Sequence, residues 1–321
     1  MLHRTLAAII AAAALCATGI SAAADYPARP VRMIVPFAIG GTTDLIARSL
    51  GPGLTERLKQ PVVFDNRPGA ASLIGVQAVV QAEPDGHTIG LVSNAITIQP
   101  AINKSWNIDA VTQLAPITQV ATIPLLVVVN PKLLPVTDLK GLIAYAKANP
   151  GKLNYATTGG ADLLTIELFR KMADINFVIV PYKGDIATSQ AVLAGEAQIF
   201  TGQVGNTAQH IPTGALRPLA VTGSRRSDKF PDIPTVSEAG VPGFDSTVWF
   251  GIVAPAGTPA AIVSRLNAVL LEVLNLPATR SGYIGTCCSI VTNKPDEFAQ
   301  IVRAEVGRYR KVAADAGIQP Q

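Results

Sequence analysis

Short apolar runs of strand character alternate with segments of helical periodicity along this chain, and that order restricts its fold more than any other feature. Val31 to Phe37 is a strand candidate. Leu45, Ile46, Leu50, Leu54 and Leu58 then fall on one helical face. Val62 to Phe64 and Thr88 to Ser93 follow as strands, the latter after the turn signal Pro84-Asp85-Gly86. Strand, helix, strand is the signature of a parallel α/β sheet. The pattern then restarts. Leu125 to Val129 is strongly apolar, Leu139, Leu142, Ile143 and Ala146 form a helix face, and Leu153 to Thr157 reads as a strand before a helix over Asp162 to Met172. Further strands are predicted at Phe177 to Pro181, Ala197 to Phe200, Leu216 to Thr222 and Trp249 to Ala254. Ser224 to Phe244, rich in Pro, Gly and charge, reads as a long surface connection. Ile262, Val263, Leu266, Val269, Leu270 and Val273 are spaced for a helix, and Phe298 to Val312 suits a final one less strictly. The expected architecture is α/β with two lobes: a discontinuous first domain over 25–123 and 249–321, and an inserted second domain over 124–248. Ligands of such sheets sit at the carboxyl ends of the strands, and two sheets facing each other make a cleft that can hinge shut.

The chain has 321 residues, 49% of them hydrophobic and 15% charged, which excludes a disordered chain. The net charge of +4 is scattered. Its densest cationic group, Arg225, Arg226 and Lys229, lies beside Asp228 and Asp232, so there is no basic stripe for a nucleic acid. His3 and Arg4 precede an apolar run from Leu6 to Ile20, and Ala22-Ala23-Ala24 follows. This is the build of a secretory signal peptide over 1–24, with cleavage expected after Ala24. Cys16 follows Leu15 rather than a small residue, which argues against lipid attachment. The remaining cysteines, Cys287 and Cys288, are sequence neighbours and cannot close a loop with a third, so they read as small buried or half-buried residues.

Two loops carry the chemistry. Val35-Pro36-Phe37-Ala38-Ile39-Gly40-Gly41-Thr42-Thr43-Asp44 leaves a strand, turns on two glycines and enters a helix. Amides at a helix N-terminus are unpaired and favour an anion, and Gly40 and Gly41 let a ligand approach that backbone. Asp44 is either a capping carboxylate or a ligand contact. Tyr155-Ala156-Thr157-Thr158-Gly159-Gly160-Ala161-Asp162 repeats the arrangement in the second unit, with threonine hydroxyls added. Arg67, in the turn Asp65 to Ala70, suits either a bidentate grip on a carboxylate or a brace to a neighbour. Tyr182 and Lys183 end another strand. Ser93, Asn94 and Gln203 join the candidate ligand set from the strand ends around them, completing Phe37, Ala38, Gly40, Gly41, Asp44, Arg67, Thr157, Thr158, Gly159, Gly160, Asp162, Tyr182 and Lys183.

No G-x-S-x-G, H-E-x-x-H or phosphate-binding glycine loop of the G-x-x-x-x-G-K type occurs, so no catalytic residue is assigned and no cofactor is expected. His87 sits in a turn and His210 in a polar stretch, neither spaced for a metal from another histidine or cysteine.

Taken in order, Tyr26-Pro27, Val35-Pro36-Phe37, Gly40-Gly41, Asp44, Asn66-Arg67-Pro68-Gly69-Ala70, Ile74-Gly75, Pro84-Asp85-Gly86, Pro181-Tyr182-Lys183-Gly184, Leu219-Ala220-Val221-Thr222 and Pro234-Thr235-Val236 resemble the Bug-type substrate-binding proteins of tripartite tricarboxylate transporters. The resemblance covers nearly all of the chain beyond the signal segment. It implies a type II-like periplasmic binding protein fold, a monomeric receptor closing on a small organic carboxylate, and membrane components of the transporter as partners. In the family, the first-strand loop and the glycine-rich loop of the second domain hold the carboxylate, with ordered water helping. This chain departs in its shorter second loop, in Leu163 or Leu164 near a family histidine, in Asp162, and in His87 where tyrosine is common. A sensory ligand-binding subunit is the alternative that would share the same closure, and an exported α/β enzyme acting on a carboxylate is a more distant one.

Overall fold

The computed structural model describes residues 26–123, 125–158, 160–182, 185–227, 229–285 and 288–320. The expected signal segment, with Cys16, lies outside them, as do Gly159, Lys183 and Cys287. The first half of the chain forms β1 (Val31–Val35), α1 (Thr42–Leu58), β2 (Val62–Asn66), α2 (Leu73–Val80), β3 (Thr88–Ser93), α3 (Ala95–Ile102) and β4 (Leu114–Ile123). With β10 (Val248–Pro255) these strands make one sheet in the order β2-β1-β3-β10-β4. β1 runs parallel to β2 and β3, whereas β10 is antiparallel to both β3 and β4. Val31, Met33, Ile34 and Val35 are all buried, so β1 has no polar alternation. Both its faces are covered by helices, as parallel sheets require.

The second sheet has the same plan. β5 (Leu125–Val129), α4 (Leu139–Ala148), β6 (Asn154–Thr157), α5 (Gly160–Ala173), β7 (Val178–Pro181), α6 (Asp185–Ala194), β8 (Ile199–Gln203) and β9 (Arg217–Val221) give the strand order β7-β6-β8-β5-β9. β6 is parallel to β7 and β8, and β5 is antiparallel to β8 and β9. The chain ends in α7 (Ala260–Leu274), α8 (Pro277–Gly285) and α9 (Pro295–Asp315). α9 covers 21 residues and is the longest helix described, although its sequence pattern is the weaker of the two terminal ones. Its N-terminus is built for the purpose, with Pro295 at the first position and Glu297 accepting from the Lys294 amide at 2.9 Å.

α9 also joins the two lobes. Its Tyr309, Val312 and Ala313 are buried in one apolar cluster with Ile98 and Ala101 of α3 and with Leu164, Leu168 and Phe169 of α5. Lys171 on α5 forms an ion pair with Asp315.

The expected surface connection from Ser224 to Phe244 is corrected by its burial. Val236, Val241 and Phe244 are all within the second core, and Val221 exchanges backbone bonds with Pro234 and Val236 on both sides. The Phe244 ring meets Phe169 edge-on at 6.0 Å. Isolated apolar residues between prolines and glycines carry no period, so the sequence pattern hides their anchoring role.

Candidate functional site

Strand register fixes where the two glycine loops lie. Ile123, the last residue of β4, pairs with Val248, the first of β10. Leu125, the first of β5, pairs with Gln203, the last of β8. The chain therefore crosses between sheets at the carboxyl ends of β1, β3 and β4 and of β6, β8 and β9. The loops after β1 and β6 open onto that seam, where doubly wound sheets hold their ligands.

In the first loop, Gly40 has a φ of +83°, the left-handed region that favours glycine. Gly41 caps α1 with an extended backbone and no side-chain bond. Asp44, the third residue of the helix, reaches back instead. Its Oδ2 accepts from the Gly40 amide at 2.9 Å and from Arg48 Nε at 2.8 Å, and its Oδ1 accepts from Asn66 Nδ2 at 2.9 Å. Asn66 Nδ2 also donates to the Phe37 carbonyl at 3.1 Å, which ties the loop to the end of β2. Burial opposes ionisation of Asp44, but the bonds from Arg48, Gly40 and Asn66 outweigh it and lower its pKa to about 2. Thus Asp44 shapes the loop with both oxygens engaged. The amides of Thr42 and Thr43, in the first turn, have no carbonyl four residues back within the helix.

The second loop repeats the device. Asp162 is the third residue of α5, and its Oδ2 accepts from the Thr158 amide at 3.1 Å and from Thr157 Oγ1 at 2.7 Å. Gly40 and Asp44, like Thr158 and Asp162, stand four residues apart, so each helix start is braced by the same backbone-to-carboxylate bond. Oδ1 of Asp162 accepts from Tyr155 OH at 2.6 Å and from Thr201 Oγ1. No cation faces it. Burial raises its pKa, against the hydrogen bonds from Thr201, Tyr155, Thr157 and Thr158. The Thr157 hydroxyl, expected to serve a ligand, is thereby engaged with Asp162, whereas Thr158 is exposed.

The other candidates are distributed around the seam. Arg67 donates to Asp65 Oδ2 at 2.9 Å, which is the bracing alternative. Its loop is strained: Ala70, Ala71 and Ser72 all have positive φ. Gly75 lies against it so closely that a Cβ there would stand 2.7 Å from Pro36 Cα and 2.9 Å from the Arg67 carbonyl oxygen. Ser93 is buried, and its Oγ accepts from the Ala95 amide at 3.3 Å. Asn94 donates through Nδ2 to the Thr247 carbonyl at 3.2 Å and ties the end of β3 to the second crossing. Tyr182 is half-buried, with its OH 3.2 Å from Glu196. Gln203 is half-buried at the end of β8, Phe37 packs at the edge of the first core, and Ala38 is exposed. Gly160 starts α5, while Gly159 and Lys183 are outside the described residues.

Sequence reasoning missed Arg48, Asn66, Tyr155 and Thr201 as the groups that hold the two aspartates. The spacing of Asp44 and Arg48, one helical turn, was a readable signal. A cavity of about 260 Å³ also lies at the crossing strands, lined among others by Gln119, Thr122, Arg225, Thr247, Trp249 and Glu305. None of the glycine-loop residues lines it. Glu305 there is a structural brace, accepting from Thr97 Oγ1 and Trp249 Nε1, both at 2.9 Å, with burial raising its pKa. Among the described residues no group of three or more His, Cys, Asp or Glu could hold a metal ion, and no helix is long and apolar enough to cross a membrane.

Two α/β lobes of one plan, joined by crossing strands and each carrying a braced helix start at the carboxyl ends of its parallel strands, define the fold of a two-lobed periplasmic binding protein. Solved structures of that class superpose on nearly the whole chain. The periplasmic binding protein BugD is 32% identical, with a TM-score of 0.69 over 92% of this chain and 100% of that one. Rpa4515 of R. palustris, solved with adipate, is 33% identical, with a TM-score of 0.72 over 92% of this chain and 100% of that one. Protein BugT of Bordetella pertussis is 34% identical over 94% of this chain and 95% of its own length. The model of the tripartite tricarboxylate transporter family receptor matches residues 46–318. The chain belongs to this receptor family, of the Bug type, which is a family of solute receptors rather than enzymes.

Proposed function

We propose that the protein is an exported solute receptor that closes its lobes on a small organic carboxylate and delivers it to the membrane components of a tripartite tricarboxylate-type transporter. The observation that carries this reading is the pair of helix starts at the seam. In each, the protein's own aspartate satisfies the loop amide behind it and leaves the first-turn amides for an anion. The positive end of each helix dipole favours negative charge at the same place. The relative solved with adipate supports a carboxylate as the anion. The ligand set proposed is the backbone of Phe37 to Gly41 and of Thr157 to Gly160, with Thr158, Ser93, Asn94, Gln203, Tyr182 and Lys183 around it. The lobes are proposed as 25–123 with 249–321, and 124–248, after removal of 1–24 on export to the periplasm. Mass spectrometry of the ligand retained through purification tests the proposal. A small organic acid is the expected finding; a neutral sugar, or a cation, would overturn it.

A further inference from the structure

We infer that the ion pair between Lys171 and Asp315 is a latch that holds the two lobes apart, so that these residues set the affinity of the receptor without touching what it binds. Resting on the receptor reading above, the latch adds to it a control of lobe closure.

Two helices meet at one hydroxyl. Ser246 lies on the second crossing, just before β10, and is buried. Its Oγ shares hydrogen bonds with Thr165 Oγ1 of α5, at 2.7 Å, and with the Tyr309 hydroxyl of α9. The residue before it is held by α9 as well, since Arg308 Nη1 donates to the Asp245 carbonyl at 2.7 Å. α9 is rooted in the first lobe, where Phe298 and Val302 are buried in one cluster with Trp249. A helix of each lobe is thus pinned to the crossing strand at the same point, which makes Ser246 the pivot on which α5 can turn against α9.

α5 extends on both sides of that pivot. Gly160, at its start by the glycine loop, is five residues before Thr165, and Lys171 is six residues after it. At 1.5 Å per residue these are arms of about 8 and 9 Å. Asp315 stands six residues beyond Tyr309 on α9, again about 9 Å along its helix. The two helices therefore leave the pivot in step, and Lys171 and Asp315 join them at matching distances. In this structure Ala38 to Gly41 and Thr158 are exposed, so the seam is open while the pair is made. Closure swings the start of α5 towards the loop after β1, and the opposite arm then carries Lys171 away from Asp315. Their contact is suited to breaking. The two side chains are 48% and 34% exposed, and a cavity of about 340 Å³, lined among others by Glu167, Arg170 and Asp174, lies beside them. Asp315 keeps Lys311 as a partner, at 3.2 Å, when Lys171 leaves.

The test is calorimetry of wild type, Lys171→Met, Asp315→Asn and Lys171→Arg with adipate or, where adipate gives no heat, with the solute that the protein retains through purification. An exposed ion pair contributes little, so releasing it should tighten binding by about two- to fivefold in Lys171→Met and in Asp315→Asn. The double variant should be no tighter than either single one, because each already breaks the same contact. Lys171→Arg keeps the pair and should bind as wild type does. The two single variants change the net charge in opposite directions, so a plain effect of charge on an anion would tighten one and weaken the other. Melting temperatures should stay level or fall, which separates the gain from a stiffer fold. Unchanged or weaker affinity in folded Lys171→Met overturns the latch, as does a gain confined to Asp315→Asn. A neutral solute retained by the protein overturns the carboxylate reading instead, and the same variants titrated with that solute still decide on the latch.

Discussion

Replacing Asp44 by asparagine tests how the first helix start is held. The side chain is 2% exposed and accepts three hydrogen bonds, one of them from a guanidinium. Its pKa falls from the ordinary 3.8 to about 2. Each unit of such a shift corresponds to about 1.4 kcal/mol, so ionised Asp44 stabilises the fold by about 2 kcal/mol at neutral pH, an order-of-magnitude figure because Arg48 is partly screened by water. Because the folded-state value is the lower one, the stabilisation is complete above pH 4 or so and is lost as pH falls towards about 2. Asp162 and Glu305 have raised values and work in the opposite sense, their protonation favouring the folded state in acid. The pH curve of wild type alone therefore mixes opposing contributions, and the difference from Asp44→Asn isolates one of them. Asparagine keeps the shape but turns an NH2 towards Arg48 or Asn66, which are donors themselves. Urea unfolding followed by circular dichroism should show Asp44→Asn less stable by about 2 kcal/mol at pH 7, with the gap narrowing steadily between pH 4.5 and 3. A gap below about 0.5 kcal/mol at pH 7, or one that stays constant down to pH 3, would refute the reasoning.

Other substitutions probe separate parts of the account. Phe244→Ala, in the segment between β9 and β10, should destabilise by about 3–5 kcal/mol in the same unfolding assay, because a buried ring is removed from against Phe169. Gly75→Ala should lower ligand affinity as well as stability, since the new methyl meets the backbone of Pro36 and Arg67 and must move the loops of the seam; calorimetry with wild-type affinity would contradict this. Thr158→Ala should weaken carboxylate binding by about 0.5–1.5 kcal/mol, the contribution of one neutral hydrogen bond, with little change in melting because the side chain is exposed.

β1 was legible because both its faces are buried, which leaves a run from Val31 to Val35 whose one polar residue is Arg32. The glycine loops were legible because a strand, two small residues and a helix start follow one another in the chain. What could not be read was whatever depends on long-range partners. Thr97 and Trp249 meet the carboxylate of Glu305 from 208 and 56 residues away, and nothing local in the last helix marks that acid as buried. Asp162 looks like any helix-start acid until Thr201, 39 residues on, is brought against it. α3 also escaped notice, since Pro100 interrupts its pattern and its Ile98 and Ala101 serve the core of the opposite lobe.

The central claim is that the seam binds a carboxylate through the amides of two helix starts. Calorimetry comparing one carboxylate with its uncharged amide, on wild type and on Gly41→Val, tests it most directly. Gly41 has φ −74° and ψ 166°, and a Cβ there meets only the Ala38 carbonyl oxygen at 3.5 Å, so valine should fold normally while its branch covers the helix start. The expected result is that wild type binds the carboxylate and not the amide, and that folded Gly41→Val loses most of that affinity. Equal binding of the amide, or unchanged affinity in folded Gly41→Val, would contradict the claim.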